Sequence, residues 1–566
     1  MNSLPHIDTL SYINSLAYIN SLHYLRLFII ASLFCFPGTA VSQPMSDLSV
    51  QLQVGRIGFS NRAIGVDTLE KVRFVDRYHL TNTSNLFIGV TLAKPLAVSL
   101  QELAPGISKD SLAKIGNYQF NFYIDHKLVY QTNLLPGAPT AAQQQSQTHW
   151  TKPLIDNQHE GAWWSQSAWN RFMRNGGEGA LTEGNHLLRM ELRPYVKLEG
   201  IKVGAVIAAG ELSMLVNLKP VVNVNAVSLT AIKPYNDIAV SKEKFDHDKI
   251  KVLKANIEAN VFKHVTSIVV LKNGKLLIEE YFNGAQRDSL HDVRSVGKSF
   301  ASTLTGIAID DGYLQSEQQQ LKDFYKLQPF KNYSRTKDSV RLKDLLTMSS
   351  TFDGDDDDPQ SPGNEENMYP TDNWLDFALN LPLNPSKYHG QWHYFTTGVV
   401  LLGQVLHEKV PGGLEKYADA KLFKPLVINN YQWQYTPQYV VSTAGGIRMN
   451  SLDFAKYGQL YKNRGKWKGM QLVPEKWVDK SLTRQLPVTG RNDEYYGYLF
   501  WNKTYHSQNK AYETFYCSGN GGNKIYILKD EPLVVVITAT AYGTTYAHTQ
   551  ADKIMEQYIL PAVYNK

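Results

Sequence analysis

Hydrophobic and polar residues alternate with a period of two along several short segments of the first 220 residues, the spacing that predicts β-strands. The segment 118–132 also carries a tight Asp125-His126-Lys127 turn, which predicts two paired strands. By contrast, 162–173 has helical spacing, and its tryptophans are interpreted as core or interface residues rather than as a sugar-stacking face. We therefore expect a β-rich accessory domain over residues 48–220. Its remaining predicted strands are 48–54, 184–196 and 210–218.

The pattern changes after a stretch of mixed composition, 221–249, that is interpreted as a linker. Residues 266–284 predict two strands around Asn273-Gly274, a pair that favours a type I′ hairpin turn. Long helical patterns follow, and two apolar strands and a helix end the chain. A segment that begins and ends with strands predicts one α+β domain, over residues 250–566, whose antiparallel sheet joins both ends. The closing elements are 524–530, 533–541 and about 548–563.

The first 42 residues have the features of a secretory leader. Arg26 precedes an apolar run, 27–36, that is too short to span a bilayer comfortably, and the small residues Ala40 and Ser42 fit cleavage before Gln43. We therefore expect a periplasmic or secreted protein with no transmembrane anchor once the leader is removed. Cys517 is then the only cysteine, so no internal disulfide is expected.

The composition is that of an ordinary globular chain, because 43% of the 566 residues are hydrophobic and 19% are charged. The net charge of +6 is small, and no basic stripe predicts a nucleic-acid partner. The segment 352–366 holds seven carboxylates, but these lack the alternate-position spacing of a calcium-binding EF-hand loop. We interpret it as a solvated acidic loop near the cleft, and we expect no metal and no cofactor.

The first candidate for chemistry is Ser295, which stands at the start of a predicted helix that Gly312 ends. Lys298 lies three residues later, so both side chains share one face of the helix, one turn apart. The partial positive charge of the helix N-terminus and burial both disfavour a protonated lysine, and a neutral lysine can accept the serine proton. The pair predicts a nucleophile with its base. The alternative is a capping serine beside a surface lysine.

Two later segments strengthen the catalytic interpretation. Tyr394 lies in a loop just before an apolar helix, for which Thr396 or Thr397 is the expected N-cap. A phenolate beside an ammonium is a competent general base or proton shuttle. Gly521-Gly522 leads straight into an apolar strand, where glycine lets a substrate backbone approach and lets a strand N–H reach an oxyanion. Taken singly, Tyr394 could equally be a surface packing residue, and the glycine pair a hairpin turn.

Together, these motifs resemble the class C β-lactamase and penicillin-binding-protein superfamily, in its branch of esterases, D-amino-acid peptidases and amidases. The resemblance covers about residues 265–563, and it implies an α+β fold with an antiparallel sheet and helices. It also implies catalysis through an acyl-enzyme. Further stretches that look like the family are 344–350, 444–461 and 465–478.

The resemblance implies a role for each matching residue. Ser295 matches the acylated nucleophile, Lys298 its partner base, and Tyr394 the tyrosine of the Tyr-x-Asn motif. Backbone N–H groups of Ser295 and Asn523 are expected to form the oxyanion hole. The glycines Gly521 and Gly522 belong to the third motif.

Two departures from the family motifs bear on the substrate. Thr396 stands where the family has the asparagine of Tyr-x-Asn, and Asn520 stands where it has the lysine of Lys-Thr-Gly. A neutral asparagine cannot replace the charge that attracts a carboxylate, although Lys524 could supply it if the register is shifted. We therefore expect hydrolysis of an ester or amide in a small-molecule or peptide substrate. The alternatives are a true β-lactamase or DD-carboxypeptidase and, from another class, a catalytically silent penicillin-binding sensor or a cell-wall-binding protein.

Overall fold

The computed structural model describes residues 52–63, 65, 74–134, 146–156, 163–358 and 360–564, and Leu48–Lys566 forms one compact unit. The expected leader, 1–42, lies outside the described residues, and so does the first part of the strand expected at 48–54. Residues 52–54 form no strand, because the chain turns at Gly55, where φ is +79°. For those residues the prediction is wrong.

Within the described residues, a nine-stranded sheet occupies the N-terminal part of the chain. Its strands are β1 (Arg56–Ser60), β2 (Arg77–Thr81), β3 (Leu86–Thr91), β4 (Gly116–Ile124), β5 (Lys127–Asn133), β6 (His149–Ile155), β7 (Gly184–Lys197), β8 (Ile201–Val203) and β9 (Ala208–Asn217). The main order is β5-β4-β7-β9-β1-β3-β6, while β2 pairs with β9 and β8 with β7. The expected turn between β4 and β5 is confirmed, since Asp125 and His126 have φ of 50° and 69°.

The helices described in this part flank the sheet. They are α1 (Leu96–Leu103), α2 (Lys109–Ile115), α3 (Trp163–Phe172) and α4 (Glu178–Ala180), with a π-helical turn at Met173–Gly177. The helix expected at 162–173 is therefore confirmed. Trp169 of α3 is buried and packs edge-on against Phe122 and Phe172. For this tryptophan the core interpretation holds.

A second sheet, eight-stranded among the described residues, has the order β11-β10-β22-β21-β20-β19-β18-β17, and smaller sheets lie beside it. The strands from here to the end are β10 (Val265–Lys272), β11 (Lys275–Tyr281), β12 (His291–Asp292), β13 (Tyr431–Trp433), β14 (Ile447–Met449), β15 (Lys466–Trp467), β16 (Met470–Gln471), β17 (Leu486–Pro487), β18 (Glu494–Tyr496), β19 (Trp501–Ser507), β20 (Lys510–Gly519), β21 (Asn523–Leu528) and β22 (Leu533–Ala539). Because β10 pairs antiparallel with β22, the sheet joins both ends of the segment as predicted. Asn273 and Gly274 form the expected turn, with φ of 51° and 70°.

Helices cover this second sheet and complete the predicted α+β fold, which is confirmed. They are α5 (His247–Glu258), α6 (Lys298–Asp310), α7 (Arg335–Asp338), α8 (Leu342–Leu346), α9 (Glu365–Met368), α10 (Trp374–Asn380), α11 (Pro385–Tyr388), α12 (Thr396–Lys409), α13 (Gly413–Ala418), α14 (Ser451–Lys462), α15 (Glu475–Ser481), α16 (Ala547–Ile554) and α17 (Leu560–Tyr564). Helix α6 contacts α12 and is buried over most of its length, so its first turn is held firmly by the core. None of the described helices is both long and apolar enough to cross a membrane.

Side chains of the N-terminal part reach the second part directly. Asn170 Nδ2 of α3 donates a hydrogen bond to the carbonyl oxygen of Tyr542 at 2.9 Å, and Lys114 pairs with Asp372. The division of the chain at a linker over 221–249 stays a prediction.

Candidate active site

Ser295 lies in a 3₁₀ turn, Arg294–Gly297, that leads directly into α6. The preceding residue, Arg294, has φ of +53°, an uncommon conformation for a residue with a side chain. Its guanidinium lies 4.5 Å from the ring centre of Tyr542, whose hydroxyl donates to the carbonyl oxygen of Asp292 at 2.7 Å. These contacts hold the turn, and they fix the direction in which Ser295 is presented.

The Lys298 side chain is only 1% exposed and points back at the serine. Its Nζ lies 2.7 Å from Ser295 Oγ and 2.6 Å from the carbonyl oxygen of Ala444. Burial lowers the pKa of Lys298, and this effect outweighs the negative charges of Glu365 and Asp356, which raise it. The lysine is thereby held toward the neutral form, which can accept a proton from Ser295.

Tyr394 approaches the same hydroxyl from the loop before α12. Its phenol interacts with the Ser295 side chain, and its ring centre lies 5.1 Å from Lys298 Nζ. Burial raises the pKa of Tyr394 above its usual range, while the interaction with Ser295 works against this rise. The ring stacks on Trp501 at 6.0 Å between centres, which limits its movement. The structure therefore brings together the three side chains that the sequence predicts as catalytic.

The acidic segment 352–366 does not form the solvated loop expected from the sequence. Its Asp356 and Glu365 are half-buried, and their charges act on Lys298. Asp356 accepts a hydrogen bond at Oδ2 from Thr396 N and another at Oδ1 from Glu365 N, both at 2.8 Å. Burial and the charge of Glu365 raise the pKa of Asp356 to about 7.

The physical reason for this correction is the internal hydrogen bonding of the segment. Asn364 Nδ2 donates to the carbonyl oxygens of Asp355, Asp356 and Asp358 at 3.1–3.2 Å, so the chain folds around one amide. Lys387 pairs with Asp358 at 2.8 Å. Among the described residues, no cluster of histidine, cysteine or acidic side chains could hold a metal ion.

The turn between β20 and β21 lies against the nucleophile. A Cβ added to Gly519, the last residue of β20, would lie 3.1 Å from Ser295 N and only 1.9 Å from Val293 O. The following glycines, Gly521 and Gly522, have φ of 95° and 91°, a conformation that favours glycine strongly. Glycine is therefore what lets this sheet edge come so close to the serine backbone.

The two asparagines of the same turn hold it together. Asn520 is exposed, and its Oδ1 accepts a hydrogen bond from Gly543 N at 3.0 Å. Asn523 is buried, and its Nδ2 donates to the carbonyl oxygens of Asn520 at 2.8 Å and Ala539 at 2.9 Å. Both side chains are used to shape the turn, and the role of the Asn523 N–H in an oxyanion hole stays a prediction.

Thr396 is not the N-cap of α12, and Lys524 does not supply the positive charge that Asn520 lacks. Thr396 is the first residue of α12, and its buried hydroxyl has no hydrogen-bond partner among the described residues, so it is not the N-cap. That prediction is wrong because the Thr396 N–H already binds Asp356, and the Thr397 hydroxyl donates elsewhere in the core. Lys524 is buried and lies 2.5 Å from Asp552, so its charge is neutralised within the protein.

Sequence reasoning missed the polar groups that surround the three predicted residues. Ala444 belongs to the family-like stretch 444–461, so a signal for its position existed, although its carbonyl contact with Lys298 did not follow from it. Asp356 is one of four consecutive aspartates, and nothing in that run marks the residue that folds inward.

The sequence matches the family model described as Beta-lactamase over residues 254–559, which is more than half of the chain. The chain therefore belongs to the beta-lactamase family, whose members are mostly serine hydrolases. No match was found among curated proteins.

Solved structures resemble about half of the chain. A penicillin-binding protein homologue from Pyrococcus abyssi is 20% identical, with 53% of this chain and 75% of that chain covered and a TM-score of 0.41. A penicillin-binding protein homologue from Caulobacter crescentus is 14% identical, with 55% and 96% covered and a TM-score of 0.42. A D-stereospecific amidohydrolase from Streptomyces sp. is 16% identical, with 52% and 95% covered and a TM-score of 0.40.

Proposed function

We propose that this chain is a serine hydrolase that cleaves an ester or amide bond through an acyl-enzyme on Ser295. The proposal rests on the placement of two proton-transfer groups beside one hydroxyl. Lys298 Nζ lies 2.7 Å from Ser295 Oγ and 5.1 Å from the ring centre of Tyr394, whose phenol interacts with the same serine. Membership of a family composed mostly of serine hydrolases supports it. The apolar leader supports action in the periplasm or outside the cell.

In the first half-reaction, Ser295 Oγ forms a bond to the substrate carbonyl carbon while its proton moves to neutral Lys298. Negative charge develops on the carbonyl oxygen, and backbone N–H groups of Ser295 and of the turn 520–523 are proposed to bind it. The intermediate then breaks its bond to the alcohol or amine. That leaving group takes a proton from Lys298, with Tyr394 as the relay, and the acyl group stays on the serine.

In the second half-reaction, water replaces the departed group. The Lys298 and Tyr394 pair takes a proton from the water as its oxygen attacks the acyl carbon. The bond to Ser295 Oγ then breaks, the serine regains a proton, and the carboxylic acid leaves. Both half-reactions use the same two groups, and no further reactant is needed.

An uncharged substrate suits this arrangement better than a β-lactam with its carboxylate. Asn520 offers no charge, and Lys524 is paired with Asp552 at 2.5 Å. A neutral hydrogen bond in place of a charged one weakens carboxylate binding by about 1 kcal/mol, or about fivefold. We therefore favour an esterase or amidase over a true β-lactamase or DD-carboxypeptidase. The contacts of Ser295, Lys298 and Tyr394 also favour it over a silent penicillin-binding sensor or a cell-wall-binding protein.

A labelling and turnover experiment tests the proposal. The full chain and Ser295→Ala are treated with a fluorophosphonate probe, and both are assayed on short-chain p-nitrophenyl esters, linear amide oligomers, D-Ala-D-Ala peptides and nitrocefin. We expect the probe on the peptide that contains Ser295 and no turnover in the variant. An adduct on another residue, or full activity of Ser295→Ala, would refute the mechanism.

A further inference from the structure

Asp356 forms two hydrogen bonds with the segment 394–396, one as the donor and one as the acceptor. Its backbone N–H donates to the carbonyl oxygen of Tyr394 at 2.8 Å, and its Oδ2 accepts from Thr396 N at 2.8 Å. The two bonds lie on either side of Phe395, so Asp356 holds this short segment at both of its ends. A rotation of the backbone at Phe395 would break at least one of them.

The second carboxylate oxygen of Asp356 also accepts a hydrogen bond. Oδ1 accepts a hydrogen bond from Glu365 N at 2.8 Å, and Asn364 Nδ2 donates to the Asp356 carbonyl oxygen at 3.1 Å. Both oxygens of the side chain therefore face backbone donors. A carboxylate satisfies both, whereas the isosteric amide of asparagine would turn an NH₂ group toward one of them.

Asp356 also lies at the N-terminus of a helix. Thr396 is the first residue of α12, a helix of 14 residues in which no N-cap side chain binds the helix N–H groups. A carboxylate at this end interacts favourably with the helix dipole and satisfies one of the free N–H groups. The same charge acts on the buried Lys298, so one side chain connects the tyrosine segment and the lysine.

We propose that Asp356 is a positioning residue that directs the Tyr394 hydroxyl toward Ser295, an inference that rests on the proposed hydrolase function. Asp356 does not touch the substrate and transfers no proton. It fixes the backbone from Tyr394 to Thr396, and with it the place from which the phenol meets the serine. Asp356 anchors this segment from 40 positions away in the sequence.

The experiment compares Asp356→Asn with Asp357→Asn in the full chain. Asp357 is the next residue and is exposed, so its variant removes a neighbouring carboxylate while both hydrogen bonds of Asp356 to the segment 394–396 remain. We expect Asp356→Asn to lower kcat for a p-nitrophenyl ester by about 10–100-fold, the size of a lost hydrogen bond to a charged group, with KM changed by less than about threefold. Asp357→Asn should keep the kcat of the wild type. Rates are measured well below the unfolding temperature, where an effect on folding alone would leave kcat unchanged.

A second pair of variants removes the donor instead of the acceptor. Thr396→Pro deletes the N–H that Asp356 binds, and proline is well accepted at the first position of a helix. Thr396→Val changes the same side chain but keeps the N–H. We expect the proline variant to have a kcat about tenfold below that of the valine variant. This comparison decides the matter if Asp356→Asn does not fold.

The outcomes separate the two proposals. Turnover by the wild type that disappears in Ser295→Ala supports the hydrolase, whatever Asp356 does. If that holds and folded Asp356→Asn keeps kcat within about threefold of the wild type, the positioning role is refuted. Equal kcat for Thr396→Pro and Thr396→Val would refute it too. A wild type that turns over no ester or amide would refute the hydrolase proposal itself.

Discussion

Replacing Lys298 with methionine removes the proposed base and keeps an unbranched side chain of similar length in a site that is 1% exposed. The substitution deletes Nζ, which lies 2.7 Å from Ser295 Oγ and 2.6 Å from the Ala444 carbonyl oxygen. No amine then remains beside the serine to take its proton. Tyr394 is a poor substitute, because burial raises its pKa above the usual range and it holds its own proton tightly.

The expected decrease in rate follows from these distances. A positioned general base contributes about 10²–10⁴-fold to the rate, so kcat should fall by that factor, which is about 2.7–5.5 kcal/mol of transition-state stabilisation. Stability should change little. Burial lowers the pKa of Lys298, so the folded protein disfavours the charged lysine below its ordinary pKa, and methionine removes that cost. The Ala444 carbonyl is left without its donor, which offsets the gain by about 1 kcal/mol.

The assay is steady-state hydrolysis of p-nitrophenyl butyrate, with thermal unfolding followed by circular dichroism. Lys326→Met is the matched control, since Lys326 is exposed and the same charge is removed away from the site. We expect an unfolding temperature close to that of the wild type and a kcat lowered as calculated. A folded Lys298→Met protein with kcat within about tenfold of the wild type would refute the assignment of the lysine as base.

Four further results are expected. Tyr394→Phe should lower kcat by about 10²-fold or more, since only the hydroxyl is removed; a decrease below about threefold would leave Tyr394 as a packing residue. The kcat/KM for a short-chain p-nitrophenyl ester should exceed that for nitrocefin by at least about tenfold, and Asn520→Lys should narrow the gap. Efficient nitrocefin hydrolysis by the wild type would instead indicate a β-lactamase. Burial raises the pKa of Glu366 from its ordinary value of 4.5 to about 7, so the wild type loses free energy of unfolding as the pH rises between these two values. Glu366→Gln should therefore be about 1–3 kcal/mol more stable at pH 8 and no different at pH 4, and identical curves at both would contradict this. A chain that begins at Lys242 should unfold at a lower temperature than the full chain, because it lacks the hydrogen bonds to the N-terminal part; an equally stable, fully active fragment would show that part to be separable.

Local turn chemistry explains why much of the fold follows from the sequence. Asp125-His126 and Asn273-Gly274 both form hairpin turns with positive φ, where short polar residues and glycine are the ones that tolerate this conformation. The contact of Ser295 with Lys298 likewise follows from a spacing of three residues within one helical turn. It could therefore be predicted without knowing which distant residues surround it. The contact of Tyr394 with this pair came from the resemblance to the family.

The groups that surround these residues could not be predicted because they come from far along the chain. Asp356 reaches Thr396 across 40 positions, and Ala444 reaches Lys298 across 146. Local preference pointed to a threonine hydroxyl as the cap of α12. A distant carboxylate satisfies the first helix N–H instead, because a charged acceptor binds it more strongly than a hydroxyl does.

The N-terminal part is tied to the nucleophile by a short series of contacts. Asn170 Nδ2 donates to the Tyr542 carbonyl oxygen at 2.9 Å, and the Tyr542 hydroxyl donates to the Asp292 carbonyl oxygen at 2.7 Å. The same tyrosine ring lies 4.5 Å from the guanidinium of Arg294, the residue next to Ser295. Tyr542 therefore links α3 to the turn that carries Ser295. Loss of this support would misalign Ser295, and a displacement of about 1 Å at the reacting atoms can lower the rate by about 10²-fold. We therefore expect the N-terminal part to influence kcat by holding this turn, even though it contributes no group to the chemistry.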